Sequence, residues 1–236
     1  MRQRVRKGIL VFSMLMFPLT FFFLSPFVIV LSAAKGILNG SAMVFGLLLL
    51  FSIFSSRIFC GWLCPGGALQ DYVSAANNRK WNSKGKNLSK YIIWTVWLSF
   101  IVFLWMRNRP LKGNFLYLVN IDQQYIIIYA IVMSVIYLFT LLTGKRGMCH
   151  SLCWMAPFMV TGEKFADLLH IPRFRLKSVP DACVSCGKCS SVCPMGLNIA
   201  EMVKSGIDSS ECINCLECAD SCPKKAIRFG IGQKQR

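Results

Sequence analysis

The chain has 236 residues, 55% of them hydrophobic, with a formal net charge of +17 and a mean hydropathy of +0.51. Its apolar residues fall almost wholly before residue 145, which predicts membrane spans rather than one large soluble core. The positive charge flanks the apolar runs, and acids are nearly absent from the first 160 residues. That pattern reads as membrane topology and excludes a nucleic-acid footprint.

Four spans are predicted, over about 9–31, 42–59, 88–106 and 125–142, each near the roughly 20 residues a crossing helix needs. Pro18 and Pro26 lie inside the first and predict a kink there. The alternative for this segment is a signal peptide cleaved near Ser32-Ala33-Ala34, but its apolar run exceeds the roughly 7–15 residues of a signal core. Basic residues set the orientation. Arg2, Arg4, Arg6 and Lys7 precede the first span. Arg57, Arg79, Lys80, Lys84, Lys86 and Lys90 surround the loop between the second and third. Lys145 and Arg146 follow the fourth. The opposite side has only Lys35, Arg107, Arg109 and Lys112. Both termini are therefore expected in the cytoplasm, with the protein in the inner membrane. The short apolar run 115–119 is expected in the outer interface.

Two Cys-x3-Cys pairs follow the second and fourth spans: Cys60-Gly-Trp-Leu-Cys64-Pro65 and Cys149-His-Ser-Leu-Cys153-Trp154. Thiols four residues apart share one side of a helical turn. If the two spans are neighbours, four sulfurs meet at the cytoplasmic face, and a third iron–sulfur centre held by Cys60, Cys64, Cys149 and Cys153 is expected. Positive charge from Arg57, Lys145 and Arg146 near that level would favour a reduced centre. Gly66 and Gly67 would let backbone N–H groups turn toward sulfur. Buried structural thiols and redox-active pairs are the alternatives. Residues 157–170 have an amphipathic pattern, with Phe158, Met159, Phe165, Leu168 and Leu169 on one side and Lys164, Arg173, Arg175 and Lys177 flanking it. An interfacial helix is expected there, or else a plain linker.

The C-terminal end repeats one template: Cys183-x2-Cys186-x2-Cys189-x3-Cys193-Pro194 and Cys212-x2-Cys215-x2-Cys218-x3-Cys222-Pro223. This spacing holds [4Fe–4S] clusters in two-cluster ferredoxins. Three thiolates two residues apart wrap one cuboidal cluster, and the fourth points at the other. Cys183, Cys186, Cys189 and Cys222 are thus assigned to one cluster, and Cys212, Cys215, Cys218 and Cys193 to the second. A zinc site or a disulfide framework is the alternative. The expected architecture is an α-helical membrane protein: a four-helix transmembrane bundle (1–156), an interfacial linker (157–177) and a small α+β two-cluster ferredoxin domain (178–236).

Taken together, the basic N-terminus, four spans, two Cys-x3-Cys motifs and double ferredoxin run resemble the NapH family of membrane iron–sulfur proteins, relatives of the methylamine-utilisation ferredoxin-type membrane proteins. The resemblance covers nearly the whole chain and implies a quinol dehydrogenase component that passes electrons to a partner iron–sulfur or cytochrome protein. Trp154 departs from the pattern, standing where the second motif expects Pro. Larger relatives, the nitrous-oxide-reductase regulators and cytochrome-oxidase assembly ferredoxins, carry extra domains for which this chain has no room.

Quinol gives up two electrons and two protons, and the sequence carries no specific quinone motif. Asp122, Gln123 and Gln124 at the outer start of the fourth span are candidate polar groups for the quinone, and Asp122, the only acid on that side, could accept a quinol proton, against an ordinary solvated loop. His150, inside the second Cys-x3-Cys, is a candidate to tune the centre or carry a proton. His170 reads as a surface residue. Two histidines at or beyond the inner face exclude a transmembrane bis-His haem. Three functions stay open on sequence alone: electron transfer from quinol (or in reverse, into the quinone pool), a metal-ion reductase or assembly factor acting on an ion such as copper, and a redox sensor.

Overall fold

The computed structural model describes residues 1–79, 88–109, 112–117 and 123–233. Helix α1 (Arg2–Leu15) ends before α2 (Phe17–Thr20), where Pro18 removes a helical donor. A 3-10 turn over Phe21–Phe23 leads to α3 (Pro26–Ala33), with Pro26 at its first turn. The two apolar pieces, Arg2–Leu15 and Phe17–Ala33, meet at 60°, so the bend falls beside Pro18, while Pro26 lies within the second piece. Strand β1 (Ile37–Asn39) precedes α4 (Gly40–Ser55), whose N-terminus is capped by the Asn39 side chain accepting from Ala42 N–H at 3.1 Å. Then come α5 (Ile58–Trp62), α6 (Pro65–Val73) and α7 (Leu88–Arg107). Strand β2 (Lys112–Asn114) pairs in parallel with β1. Helices α8 (Gln123–Thr143), α9 (Gly147–Ser151) and α10 (Met155–Leu168) complete the apolar half.

Among the described residues α7 and α8 are each long and apolar enough to cross a membrane, and the bent N-terminal pair makes a third if taken as one span. Helix α4 is apolar but has 16 residues, about 24 Å of helix against a hydrocarbon layer of about 30 Å. The described structure thus supports a largely helical membrane half, with two or three candidate spans rather than the four expected.

The same local structure occurs twice. After α4, Arg57 precedes short α5, the chain turns at Leu63 and Cys64, and α6 begins at Pro65. After α8, Arg146 precedes short α9, the chain turns at Leu152 and Cys153, and α10 begins at Met155. The turns share their bonds: Leu63 and Cys64 N–H both donate to Phe59 O, and Leu152 and Cys153 N–H both donate to Met148 O. Each unit is a hairpin whose tip dips below the charged end of the bundle. Ser13 donates to Leu63 O at 2.5 Å, while Arg6, seven residues earlier on α1, bonds Gly61 O at 3.3 Å. Trp97, seven residues after Lys90 on α7, lies against Trp154 with ring centroids 6.5 Å apart. Both tips therefore reach further along α1 and α7 than Arg6 and Lys90, onto the apolar side of the charged level.

Helix α10 only partly follows the interfacial expectation. Phe158 is packed edge-on between Phe45 and Trp94, at 5.2 and 5.3 Å, and Met159 is fully buried, whereas Phe165, Leu168 and Leu169 are exposed. The helix crosses α4 at Gly162, where an added Cβ would strike Ser52 Oγ and stand 2.7 Å from Leu49 O. Gly162→Val is expected to cost about 1–3 kcal/mol through overpacking, read as a lower unfolding midpoint in detergent.

The C-terminal end opens with β3 (Arg173–Ser178), which pairs antiparallel with β4 (Ile227–Gly232). Between them lie short helices α11 (Lys188–Ser191), α12 (Ile199–Ser205) and α13 (Glu217–Ser221). This is the small α+β ferredoxin-like unit expected.

Candidate iron–sulfur centres

The two cysteine templates fold alike. Ser185 and Gly187 in the first, and Asn214 and Leu216 in the second, have left-handed backbone at matching positions, with φ of 55°, 72°, 49° and 65°. Gly196 and Lys225, each three residues past the last Cys of its run, match again at 67° and 52°. Alternating left- and right-handed residues aim successive N–H groups into a concavity that favours negative charge. Leu216 and Lys225 adopt this conformation without glycine's freedom, at about 1–2 kcal/mol each. The two concavities gather different cysteines. One cavity of about 380 Å³ has Cys183, Cys186, Cys189 and Cys222 in its wall. Another, of about 290 Å³, has Cys193, Cys212, Cys215 and Cys218, with Leu176, Ile213 and Leu216 among its apolar neighbours. Burial pushes the Cys215 thiol up to about 12 and raises Cys212 and Cys218 as well. Such thiols ionise on binding iron rather than before it, so loading releases protons.

A third set of sulfurs lies at the hairpins. Cys60 and Cys149 are buried, and Cys64 and Cys153 half-buried. All four are close enough to perturb one another: Cys149 donates to Cys153, which holds Cys149 up and Cys153 down, and Cys64 is raised by burial and then by Cys60 and Cys149, to about 12. Donors already point at the sulfurs. Gly67 N–H donates to Cys64 Sγ at 3.4 Å and Gln70 Nε2 to Cys149 Sγ at 3.3 Å. The Ala156 N–H serves Cys153, three residues on, as Gly67 serves Cys64. Gly67 has a second reason to be glycine, since an added Cβ would stand 2.9 Å from Arg146 Nη1.

Cations surround this set. Arg6, Arg57, Lys90 and Arg146 are each at most 1% exposed. Arg146 forks onto Asp71 at 2.6 and 2.8 Å and donates to Cys60 O at 2.7 Å. Arg6 bonds Asp71 at 3.2 Å and Glu217 at 2.9 Å. Arg57 and Lys90 share Glu211, at 3.0 and 2.5 Å. Burial works against the Arg57 and Arg146 charges, yet Glu211 and Asp71, with the nearby thiols, hold both above the ordinary value. Four buried cations thus share Asp71, Glu211 and the part-exposed Glu217, and among the described residues Arg57 Nε has no hydrogen-bond partner. A surplus of buried positive charge is costly unless an anion faces it, and four thiolates around a cluster would be that anion. The donor set fits such a group. Among the described residues no three His, Cys, Asp or Glu side chains converge as ligands of a single metal ion. In a cuboidal cluster each thiolate takes its own iron, which needs no such convergence.

The ferredoxin-like end is seated directly on the hairpins. A Cβ on Gly61 would strike Ile213 O and stand 3.4 Å from Cys215 N. Trp62 Nε1 donates to Asn214 O at 3.1 Å, Gln3 to Cys215 O at 3.1 Å, and Lys145 to Ser191 O at 2.5 Å. Cys60 and Cys149 share one buried core with Cys189, Cys193, Cys215 and Cys218. Glu211 couples the halves through Arg57 and Lys90, so Glu211→Gln, which leaves both cations short of a partner, is expected to destabilise the protein by about 3–5 kcal/mol. Thermal unfolding checks this, and Lys90→Met on top of Glu211→Gln should recover part of the loss.

His150, a predicted candidate, is buried; its Nε2–H donates to Met195 O at 3.0 Å, and Nδ1 lies 3.6 Å from Glu211. It links the second hairpin to the Cys193 loop. Asp122 falls outside the described residues, and for Gln123 only the backbone, at the start of α8, is described. Gln124 is exposed, a helix length of about 30 Å from Arg146. Sequence reasoning missed the buried role of Arg57, Arg146 and Lys90, although Arg-x2-Cys-x3-Cys occurs at both pairs and marks the arginines.

The family model for a 4Fe-4S binding domain matches residues 40–84, which include Cys60 and Cys64. That for a 4Fe-4S dicluster domain matches residues 175–223, which include the eight C-terminal cysteines. The uncharacterized protein MJ0750 of Methanocaldococcus jannaschii is 24% identical over 198 residues, 80% of this chain and 78% of its own length. The putative electron transport protein YccM of Escherichia coli is 24% identical, over 74% of this chain and 51% of its own. The ferredoxin-type protein NapH of Haemophilus influenzae is 23% identical, over 81% of this chain and 67% of its own. No solved structure gives a significant match. Iron–sulfur electron transfer is the chemistry these relatives and both family models support, and the chain is similar, at about a quarter of identical residues, to the NapH-type ferredoxin proteins.

Proposed function

We propose that the protein is a membrane electron-transfer subunit that oxidises quinol and delivers electrons to a partner iron–sulfur or cytochrome protein. Two clusters are held by the Cys183, Cys186, Cys189, Cys222 and Cys193, Cys212, Cys215, Cys218 sets, and a third centre by Cys60, Cys64, Cys149 and Cys153. The observation that carries this reading is the third set: four sulfurs from two like hairpins, under surplus buried positive charge, packed against the ferredoxin-like end. When bound, such clusters take up and release electrons one at a time over a wide range of potential. The chain's own residues give the group two sides. Cys60 and Cys149 are buried toward the ferredoxin-like unit, while Cys64 and Cys153 are half-buried at the hairpin tips. Arg57, Arg146 and the N–H groups of Gly67 and Ala156 offset negative charge on the sulfurs. The basic residues at this end favour the cytoplasmic side, with both termini there and the exposed Phe165, Leu168 and Leu169 in the interface. The half-exposed Val184 and Cys186 loop leaves the Cys183 set nearest a partner.

The test is anaerobic. The cluster-loaded protein in lipid is mixed with a naphthoquinol, and cluster reduction is followed by absorbance and spin resonance. Reduction without added metal ion is expected. Clusters that dithionite reduces and quinol does not would point instead to flow into the quinone pool or to metal-ion reduction.

A further inference from the structure

The residues beside the outer sulfurs are not those of a structural turn alone. Arg146 of the second hairpin donates to Cys60 O at 2.7 Å, and Gln70, just after the first, donates to Cys149 Sγ at 3.3 Å, so the two hairpins pack side by side. Next to each outer sulfur is a large apolar side chain left open to the hydrocarbon: Leu63 is 47% and Trp154 37% exposed. Trp154 closes an aromatic group. Trp97 lies 6.5 Å from it and 6.0 Å from Phe158, which in turn meets Phe45 and Trp94 edge-on. The group also contains an indole donor, Trp94 Nε1, that is buried without a partner among the described residues, in a layer where water is not there to serve it. Aromatic walls hold flat rings by offset stacking or edge contact. The tips lie on the apolar side of the charged level, beside Ser13 and Trp97, where the lipid reaches them.

We propose that the two hairpin tips, Leu63-Cys64 and Cys153-Trp154, form the binding site for the ring of a membrane quinol or quinone, with Trp154 as the wall on which it stacks. This rests on the quinol reading above and gives that substrate a place at the membrane side of the four sulfurs. It differs from the outer start of α8, where Gln124 lies a full helix away. Trp154 is then a binding residue in this chain, which accounts for a large aromatic where the related motif has Pro.

The test reads binding, not turnover. The cluster-loaded full chain in lipid discs is irradiated with an azido-substituted naphthoquinone, and the labelled peptides are mapped by mass spectrometry. Labelling is expected within residues 58–66 or 152–158, with excess unlabelled naphthoquinone suppressing it at least tenfold. Trp154→Leu should lower it at least tenfold at unchanged iron and sulfide content, and Trp154→Phe should keep it within about twofold. Labelling centred on residues 123–125, or equal labelling of Trp154→Leu, would overturn the site. If Trp154→Leu loses its iron, the competed labelling map of the unaltered protein decides alone. The site and the electron-transfer reading fail separately. Labelled tips in a protein that quinol never reduces would remove the reading and keep the site. Quinol reduction with labelling elsewhere would remove the site and keep the reading.

Discussion

Gly61→Ala should slow electron exchange between the hairpin centre and the ferredoxin-like clusters by at least tenfold while leaving all twelve cysteines in place. Gly61 lies in α5 between Cys60 and Trp62, and its Cα faces the Ile213 carbonyl and the Cys215 amide directly. Both neighbours are backbone in a cluster loop whose conformation is fixed by the left-handed residues Asn214 and Leu216. They do not turn aside as the end of a flexible side chain would. A single methyl group must therefore lift the ferredoxin-like end from the hairpin, and the bonds of Trp62 to Asn214 O and Gln3 to Cys215 O lengthen with it. The measurement is freeze-quench spin resonance after mixing with quinol. Normal iron content, an early signal from one centre and a delayed signal from the other two are expected. Unchanged kinetics would mean that this contact does not lie on the route.

Cys60→Ser should abolish reduction of the ferredoxin-like clusters by quinol, yet leave their reduction by dithionite intact. Cys60 is buried between the hairpins and the Cys215 loop, so its loss removes a ligand on the side facing the second cluster set. Iron should fall from about twelve to about eight per chain, the content of two four-iron clusters. On the proposed assignment the eight C-terminal cysteines hold their two clusters without Cys60, so direct chemical reduction is expected to survive. Loss of all iron would instead show that the hairpin centre is needed for the whole molecule to fold, a coupling common where metal binding supplies folding energy.

Much of this was legible in local spacing. Both ferredoxin templates show their chemistry over eleven residues, and the dicluster family model spans both. Helices α7 and α8 lie within two residues of their predicted ends, because long apolar runs carry a strong signal. Pro18 marks the bend between Leu15 and Phe17. What stayed hidden depended on partners far away in sequence. Arg57, Lys90 and Arg146 read as orientation signals beside apolar runs, yet they are buried, and the carboxylates that hold Arg57 and Lys90 come from Glu211, more than 120 residues on. The dip of both hairpins was likewise invisible, since α5 and α9 are five residues each and too short for periodicity to register. The pattern over 157–170 predicts an interfacial helix because Phe158 and Phe165 look alike in sequence. Only the crossing at Gly162 shows that one packs inward and the other does not.

The central claim is that Cys60, Cys64, Cys149 and Cys153 together hold a redox centre. The most direct measurement is iron and acid-labile sulfide per chain, with spin quantification on the anaerobically purified full chain in lipid and thiol alkylation read residue by residue. The account predicts about twelve irons and twelve sulfides, three separable reduced signals, and no alkylation of the four hairpin cysteines until the clusters are removed. About eight irons, two signals and ready alkylation of Cys64 and Cys153 would contradict it.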